Sequence, residues 1–339
     1  MSSFEDLNQT NPEFLAAARE RAAEMIAVGL GVVGLVEVII GMPLAETAEK
    51  RDETILPADS VVTPAKIKAV RAALTEVGIG MSDDRGLGEA GLSQEAVVLI
   101  EGGQMHKVVA ETHLAGSGPV VFSGTRHRPI AGGERETTAR IFELAEEEVG
   151  ATEFDMVSQV ARSMEGFVPM TEPLELGRIA YDGRVVDDDY EEEHGVVYQV
   201  GTTREGSQLV YVFDVPRRYL FDVHGEPITD EKGRQKFIQP SAAQQAIAVA
   251  ELLGSQEVAV ATSSTYYPSR LGEIVRASFS LIKQGVVVPK IEIVAYCPAR
   301  LAKVKREDAP AVPTLANMLG EAYAVRKTFL NLQAEVTRD

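Results

Sequence analysis

The sequence predicts an α/β protein built on an open, mainly parallel sheet, with an inserted antiparallel β subdomain and an N-terminal helical region. Three observations carry that prediction. Short apolar runs, Ala96–Ile100, Pro119–Phe122 and Val258–Ala261, give way to glycine or hydroxyl residues and lead toward helical patterns, as buried parallel strands do. Between about Gly177 and Pro240 the pattern changes: Val196–Val200 and Gln208–Val215 are rich in β-formers and are split by Gly201 and Gly206, a hairpin signature. Ahead of the first strand stand an apolar stretch and a capped helix. The expected segments are residues 1–92 (N-terminal helical region), 93–176 (first part of the core), 177–240 (antiparallel insert) and 241–339 (second part of the core).

Composition bounds the function. The chain has 339 residues, 45% hydrophobic and 25% charged, enough to bury a full core. A net charge of −18 and a pI near 4.8 argue against a nucleic-acid partner, because phosphate-backbone affinity rests on clustered Lys and Arg. The single cysteine, Cys297, excludes an internal disulfide and a Cys-rich zinc site. It follows a strand, Ile291–Ala295, and reads as a packing residue.

From Met25 to Leu44 the chain is almost wholly apolar, and that length just spans a bilayer. Glu37 near its middle, Pro43 near its end and flanking charges without asymmetry favour burial in a soluble fold. No signal-peptide cleavage site with a basic n-region is evident. The expected location is therefore cytoplasmic, with a membrane anchor through residues 25–44 as the alternative.

The elements follow in order. Thr63 and Pro64 open a helix as N-cap and first-turn proline. Gly78–Gly91 reads as loop, and Ala96–Ile100 is the first core strand, closed by Glu101, Gly102 and Gly103. A helix over Met105–Leu114 and a strand over Pro119–Phe122 complete a βαβ unit. The next loop, Ser123-Gly124-Thr125-Arg126-His127-Arg128, is basic in an acidic protein and continues through Gly132 and Gly133 to a helix near Glu134. Such a loop suits an anion; alternatively Arg126 and Arg128 meet the acidic run Glu143–Glu148. Glu134 and Glu136 fall in a first turn, where the helix dipole favours carboxylates.

In the insert, Arg218–Val223 adds a third strand. The acidic stretch Asp187–Glu193 lacks the alternation and glycine of a calcium loop, and His194 and His224 have no partners at ligand spacing, so no metal is expected. Ser241 caps a helix over Ala242–Leu253. The Val258–Ala261 strand then runs into Ser263-Ser264-Thr265-Tyr266-Tyr267-Pro268-Ser269-Arg270. Pro268 suits the first turn of a helix whose apolar stripe is Leu271, Ile274, Val275, Phe279 and Ile282. The loop's hydroxyls, the helix start and Arg270 suit an anionic ligand, or the hydroxyls merely cap the helix. A strand over Ile291–Ala295 and a helix from Pro313 close the chain.

Gly102-Gly103 after a first strand, Ser123-Gly124 after a second, an acidic helix start, and Ser263 to Arg270 after a late strand together resemble the YdcF/SanA/ElyC group of the DUF218 superfamily. The resemblance covers residues 95–330 without the insert. Thr125 stands where the family has a second glycine, Ser263-Ser264 where it has Thr-Ser, and Tyr267 where it has a histidine; Ser241–Gln244 is the nearest match to a family Thr-x-x-Asn element. The resemblance implies a three-layer αβα Rossmann-like fold, often envelope-linked and sometimes membrane-anchored, and S-adenosylmethionine as a ligand in one branch.

The function expected is binding of a phosphorylated or nucleotide-like small molecule between the loops at Gly102, Ser123 and Ser263, as an enzyme or as a non-catalytic envelope-related binding or regulatory module. The candidate residues are Gly102, Gly103, Ser123, Gly124, Thr125, Arg126, Glu134, Ser263, Ser264, Thr265, Tyr267 and Arg270. No nucleophile or base is legible, and the glycines do not form Gly-x-Gly-x-x-Gly. The insert is expected to cover the carboxyl edge of the sheet, or to pair with a second copy through Val210, Val212 and Phe213 in a homo-oligomer.

Overall fold

The computed structural model describes residues 12–40, 63–76, 84–101, 114–130, 135–136, 142–145, 150–203, 208–230, 233–264, 266–296 and 315–337, with single positions at 79, 108, 112, 132 and 139. In chain order the elements are α1 (Pro12–Ile40), α2 (Pro64–Glu76), β1 (Val97–Glu101), β2 (Val120–Gly124), α3 (Glu153–Arg162), β3 (Val168–Ala180), β4 (Val185–Val186), β5 (His194–Thr203), β6 (Gln208–Asp214), β7 (Arg218–Tyr219), β8 (Phe237–Ile238), α4 (Ala242–Leu253), β9 (Glu257–Ser263), α5 (Tyr267–Lys283), β10 (Lys290–Tyr296) and α6 (Leu315–Thr337). They fall into two compact units. One comprises Met1–Asp84, Thr262–Val288 and Ala295–Asp339, the other Arg85–Ala261 and Pro289–Val294.

The second unit carries the predicted α/β sheet, with strand order β10-β9-β1-β2-β6-β5-β3-β4. β1 pairs in parallel with β2 and β9, and β2 pairs in parallel with β6. β10 runs the same way, since Lys290 N donates to Gln256 O and Ser264 N to Tyr296 O. β1 (VVLIE) and β2 (VVFSG) are buried throughout, as central parallel strands must be. Val98, Ile100, Val120 and Phe122 pack in one core with Met156, Val157 and Val160 of α3. Burying each such side chain stabilises by about 1.5–3 kcal/mol.

The residues expected to form a separate insert are part of this sheet. Val210 is in register with Val120 and Phe213 with Ser123, while Val197 and Tyr198 of β5 oppose Phe213 and Val212 in antiparallel pairing. The reason lies in β6 itself: Val210, Tyr211, Val212 and Phe213 are all buried, so the strand needs cover on both faces and neighbours on both sides. β3, paired with β5, begins at Val168 and runs through the boundary expected at Gly177. Its outer edge meets β4 only at Arg178 and Ile179. Pro169 and Pro173, without N–H groups, and the charge of Glu172 blunt the rest of that edge against stray strand pairing.

Past β6 the chain forms a thin arm. Leu220 N donates to Lys236 O, Lys236 N to Ile228 O, and Ile228 N to Leu220 O. Its turns at Asp222–Glu226 and Asp230–Arg234 use Gly225 (φ 81) and Gly233 (φ 74) in the left-handed region, and the Asp222 and Asp230 carboxylates accept backbone N–H groups across them. α4 then starts with the predicted cap: Ser241 Oγ accepts from Gln244 N, and the Gln244 side chain accepts from Ser241 N.

The first unit is helical. Ala22, Ile26, Val33, Val36 and Ile40 form one stripe of α1, packed with Val70 and Leu74 of α2 and Leu319, Val325, Phe329 and Leu332 of α6. A Cβ at Gly29 would meet the Phe329 ring at 2.6 Å, so the glycine permits this close helix approach. Glu37 is ion-paired with Arg326 of α6. The expected burial of the apolar stretch holds for that stripe only; Val28, Leu35 and Val38 are 58%, 45% and 77% exposed, and residues 41–44 lie outside the described residues. By length and composition α1 qualifies as a membrane-crossing helix over Leu15–Ile40. Thr63 Oγ1 accepts from Lys66 N, the predicted cap of α2.

Candidate functional site

The structure gathers Ser123, Gly124, Thr125 and Arg126 at the carboxyl end of β2, where β6 and α3 meet it. Ser123 is buried and its hydroxyl donates to Ile100 O at 3.3 Å, a bond within the sheet. A Cβ on Gly124 would approach Glu153 O to 2.8 Å, so glycine lets α3 begin against the strand. Thr125 N donates to Glu153 Oε2 at 3.2 Å, and its Oγ1 accepts from His127 N. Glu153 Oε1 also accepts from Arg128 Nη1 at 3.0 Å.

Arg126 lies over the Phe154 ring at 4.4 Å, with its Nε 3.2 Å from Asp214 Oδ2 and its backbone N donating to Asp214 Oδ1. Burial raises the Asp214 carboxyl above the usual carboxylate range, and Arg126 and His127 pull it back down. His127 Nε2 is 2.9 Å from Glu193 Oε1, its carbonyl accepts from the Tyr219 hydroxyl at 3.3 Å, and its ring meets the Tyr219 ring edge-on at 5.9 Å. Arg126 and Arg128 pair with Asp214 and Glu153; of the acidic run expected as their alternative partner, Glu146, Glu147 and Glu148 lie outside the described residues. Of the segment expected to cover the sheet edge, the arm carrying Tyr219 reaches the loop after β2. Replacing Arg126 with alanine removes the main opposing charge, so the Asp214 carboxyl is expected to titrate higher in that variant; carboxyl NMR across pH checks the direction.

Ser263, Ser264, Tyr267 and Arg270 cluster separately, where β9 passes into α5. Ser263 is buried and its carbonyl accepts from Tyr266 N. Ser264 is 0% exposed, and its hydroxyl has no hydrogen-bond partner among the described residues. Neither serine caps α5: Tyr266 holds the N-cap position without a side-chain bond, and Pro268 sits in the first turn as predicted. Arg270 Nη1 is 2.7 Å from Glu273 Oε2. The Ser269 hydroxyl donates to Glu321 of α6, whose buried carboxyl is pushed up to about 7. Burial is the cause; the Ser269 hydroxyl and N–H and the Arg270 charge oppose it, and Glu273 adds to it.

Gly102, Gly103, Thr265 and Glu134 lie outside the described residues, as does Cys297. Among the described residues no group of His, Cys, Asp and Glu is placed to hold a metal ion.

Sequence reasoning missed Asp214, Glu153, Glu193, Tyr219 and Glu321. A signal existed for the first: Asp214 ends a buried apolar run just as Ser123-Gly124 ends β2, which marks the carboxyl end of a parallel strand. A second signal was the spacing Asp222, Gly225, Asp230, Gly233, which repeats one turn twice along the arm. No family model, curated protein or solved structure matches the chain.

Proposed function

We propose that the protein binds a small anionic ligand, phosphorylated or nucleotide-like, at the carboxyl edge of its sheet. The observation that carries this reading is the strand order. From β1 the chain moves outward through β2 and β6, and it later returns through β9 and β10 on the other side of β1. Ligands of open α/β sheets bind outside the carboxyl ends of the strands at such a reversal. At this edge β9 leads into the segment that carries Ser263, Ser264 and Tyr267. The buried Ser264 hydroxyl supports the same reading, because an unsatisfied buried hydroxyl costs about 1–3 kcal/mol unless something bonds to it.

As an enzyme, the protein would draw its acid–base chemistry from Asp214 and His127 at the neighbouring strand ends. The alternative is a non-catalytic binding or regulatory module, favoured by the pairing of Arg126, Arg128 and Arg270 with carboxylates of the chain itself. The DUF218 likeness, with S-adenosylmethionine as its ligand, belongs to the same proposal. So do a cytoplasmic location and the exclusion of nucleic acid; the outward apolar face of α1 favours membrane association as the second reading of location.

Thermal-shift and calorimetric titration with ATP, S-adenosylmethionine and sugar phosphates tests the binding reading. At least one probe is expected to stabilise the protein, and Ser264→Ala to weaken that probe about tenfold, the loss of one hydrogen bond of ~1.4 kcal/mol, while the free variant melts no lower than the parent. A panel without a single stabilising probe, or a Ser264→Ala variant that binds like the parent, overturns it.

A further inference from the structure

We propose that Glu321 of α6 serves as the N-terminal cap of α5, and that this clasp closes when its carboxyl is protonated and loosens when it ionises.

A helix start leaves backbone N–H groups without intrahelical partners. The local sequence supplies α5 with no cap, since Tyr266 makes no side-chain bond there, and Pro268 removes one donor altogether. The Ser269 hydroxyl turns instead to the neighbouring helix and donates to Glu321, whose carboxyl also feels the Ser269 backbone N–H. This carboxyl is 5% exposed, and its chain neighbours Leu319, Ala322 and Val325 are all core residues.

The charges around it do not compensate its burial. On α5, Arg270 and Glu273 act on it with opposite signs and are bonded to each other. On α1 the charge between Met25 and Ile40 is Glu37, held by Arg326; α2 carries Lys66, Lys68 and Arg71.

In the closed clasp the carboxyl titrates near 7, against an ordinary value of 4.5 once it is opened to water. Between those values the closed form holds a proton that the open form has lost, so closure is favoured as pH falls through 7 and weakens as pH rises. The turn fixed in this way, Tyr266–Ser269, directly follows Ser263 and Ser264. The clasp is a property of α5 and α6 and does not depend on the ligand reading.

Hydrogen exchange of the full chain at pH 6 and pH 8, corrected for the intrinsic pH dependence of exchange, tests it. Amides of the first turns of α5, through Ile274, are expected to lose protection by up to about tenfold at pH 8. Glu321→Gln, neutral at both pH values and able to accept both bonds, is expected to keep the pH 6 protection throughout. Ser269→Ala, which removes the hydroxyl donor, is expected to lower protection at both values and to raise the titration point of Glu321 in carboxyl NMR. The proposal is overturned if Glu321→Gln shows the parent's pH dependence, if Ser269→Ala leaves protection and titration unchanged, or if the Glu321 carboxyl titrates in the ordinary range.

Discussion

Replacing Phe213 with alanine is expected to lower stability by about 3–5 kcal/mol, the range for truncating a fully buried aromatic side chain. The size of the effect follows from where β6 lies. Phe213 is in register with Ser123 on one side and Val197 on the other, and β6 joins the parallel half of the sheet to the antiparallel half. Deleting Gly195–Val223 and bridging the gap with a short Gly-Ser linker is therefore expected to yield no folded protein, because it removes nearly all of β5 and all of β6 from the middle of the sheet. A detachable flap would behave otherwise: its loss would leave the parallel core intact, and Phe213→Ala would cost a fraction of this amount. Chemical denaturation of the point variant and near-ultraviolet circular dichroism of the deletion variant separate the two. A loss under 1 kcal/mol, or a folded deletion variant, contradicts the placement of β6 as an integral strand.

The same strand marks the limit of what the sequence disclosed. β1, β2, β9 and β10 were legible because each is a short apolar run with a polar stop, and the caps at Thr63 and Ser241 were legible because capping is local chemistry. β6 was legible as a strand but not in its pairing. An antiparallel hairpin and a strand that joins a parallel neighbour share one local pattern, and the choice is made by Val120, Val121 and Phe122, far away in the chain. For the candidate site the residue types at the strand ends were readable, but their partners were not. Arg126 sits 88 residues from Asp214, and Ser269 sits 52 from Glu321, so neither contact leaves a spacing to detect. The hydroxyl-rich turn before α5 read as a helix cap or an anion cradle. The bonds that reach Ser269 come instead from a carboxylate on another helix.

That carboxylate gives the other large effect. Glu321→Gln is expected to gain about 3 kcal/mol over the parent between pH 5 and pH 8, one pKa unit being worth about 1.4 kcal/mol. The sign follows from proton counting. The folded carboxyl titrates near 7 and the unfolded one near 4.5, so between these values the folded protein holds a proton that the unfolded chain has released. Stability then falls as pH rises, because ∂ΔG/∂pH follows the protons bound by the unfolded state minus those bound by the folded state. Below 4.5 both forms are protonated and the group contributes no pH dependence; above 7 both are ionised and the whole loss is present. Glutamine fills the same space and cannot ionise, so every other titrating group, Asp214 included, cancels when the two proteins are compared at each pH. Urea denaturation of both proteins at half-unit steps from pH 4.5 to pH 8.5 measures the difference. A gap that opens as pH rises and levels off above 7 is the expected curve. A gap that stays constant means that the buried carboxyl keeps its ordinary affinity for the proton, and a gap that narrows with rising pH means that Ser269 and the helix start stabilise the ionised form more than burial penalises it.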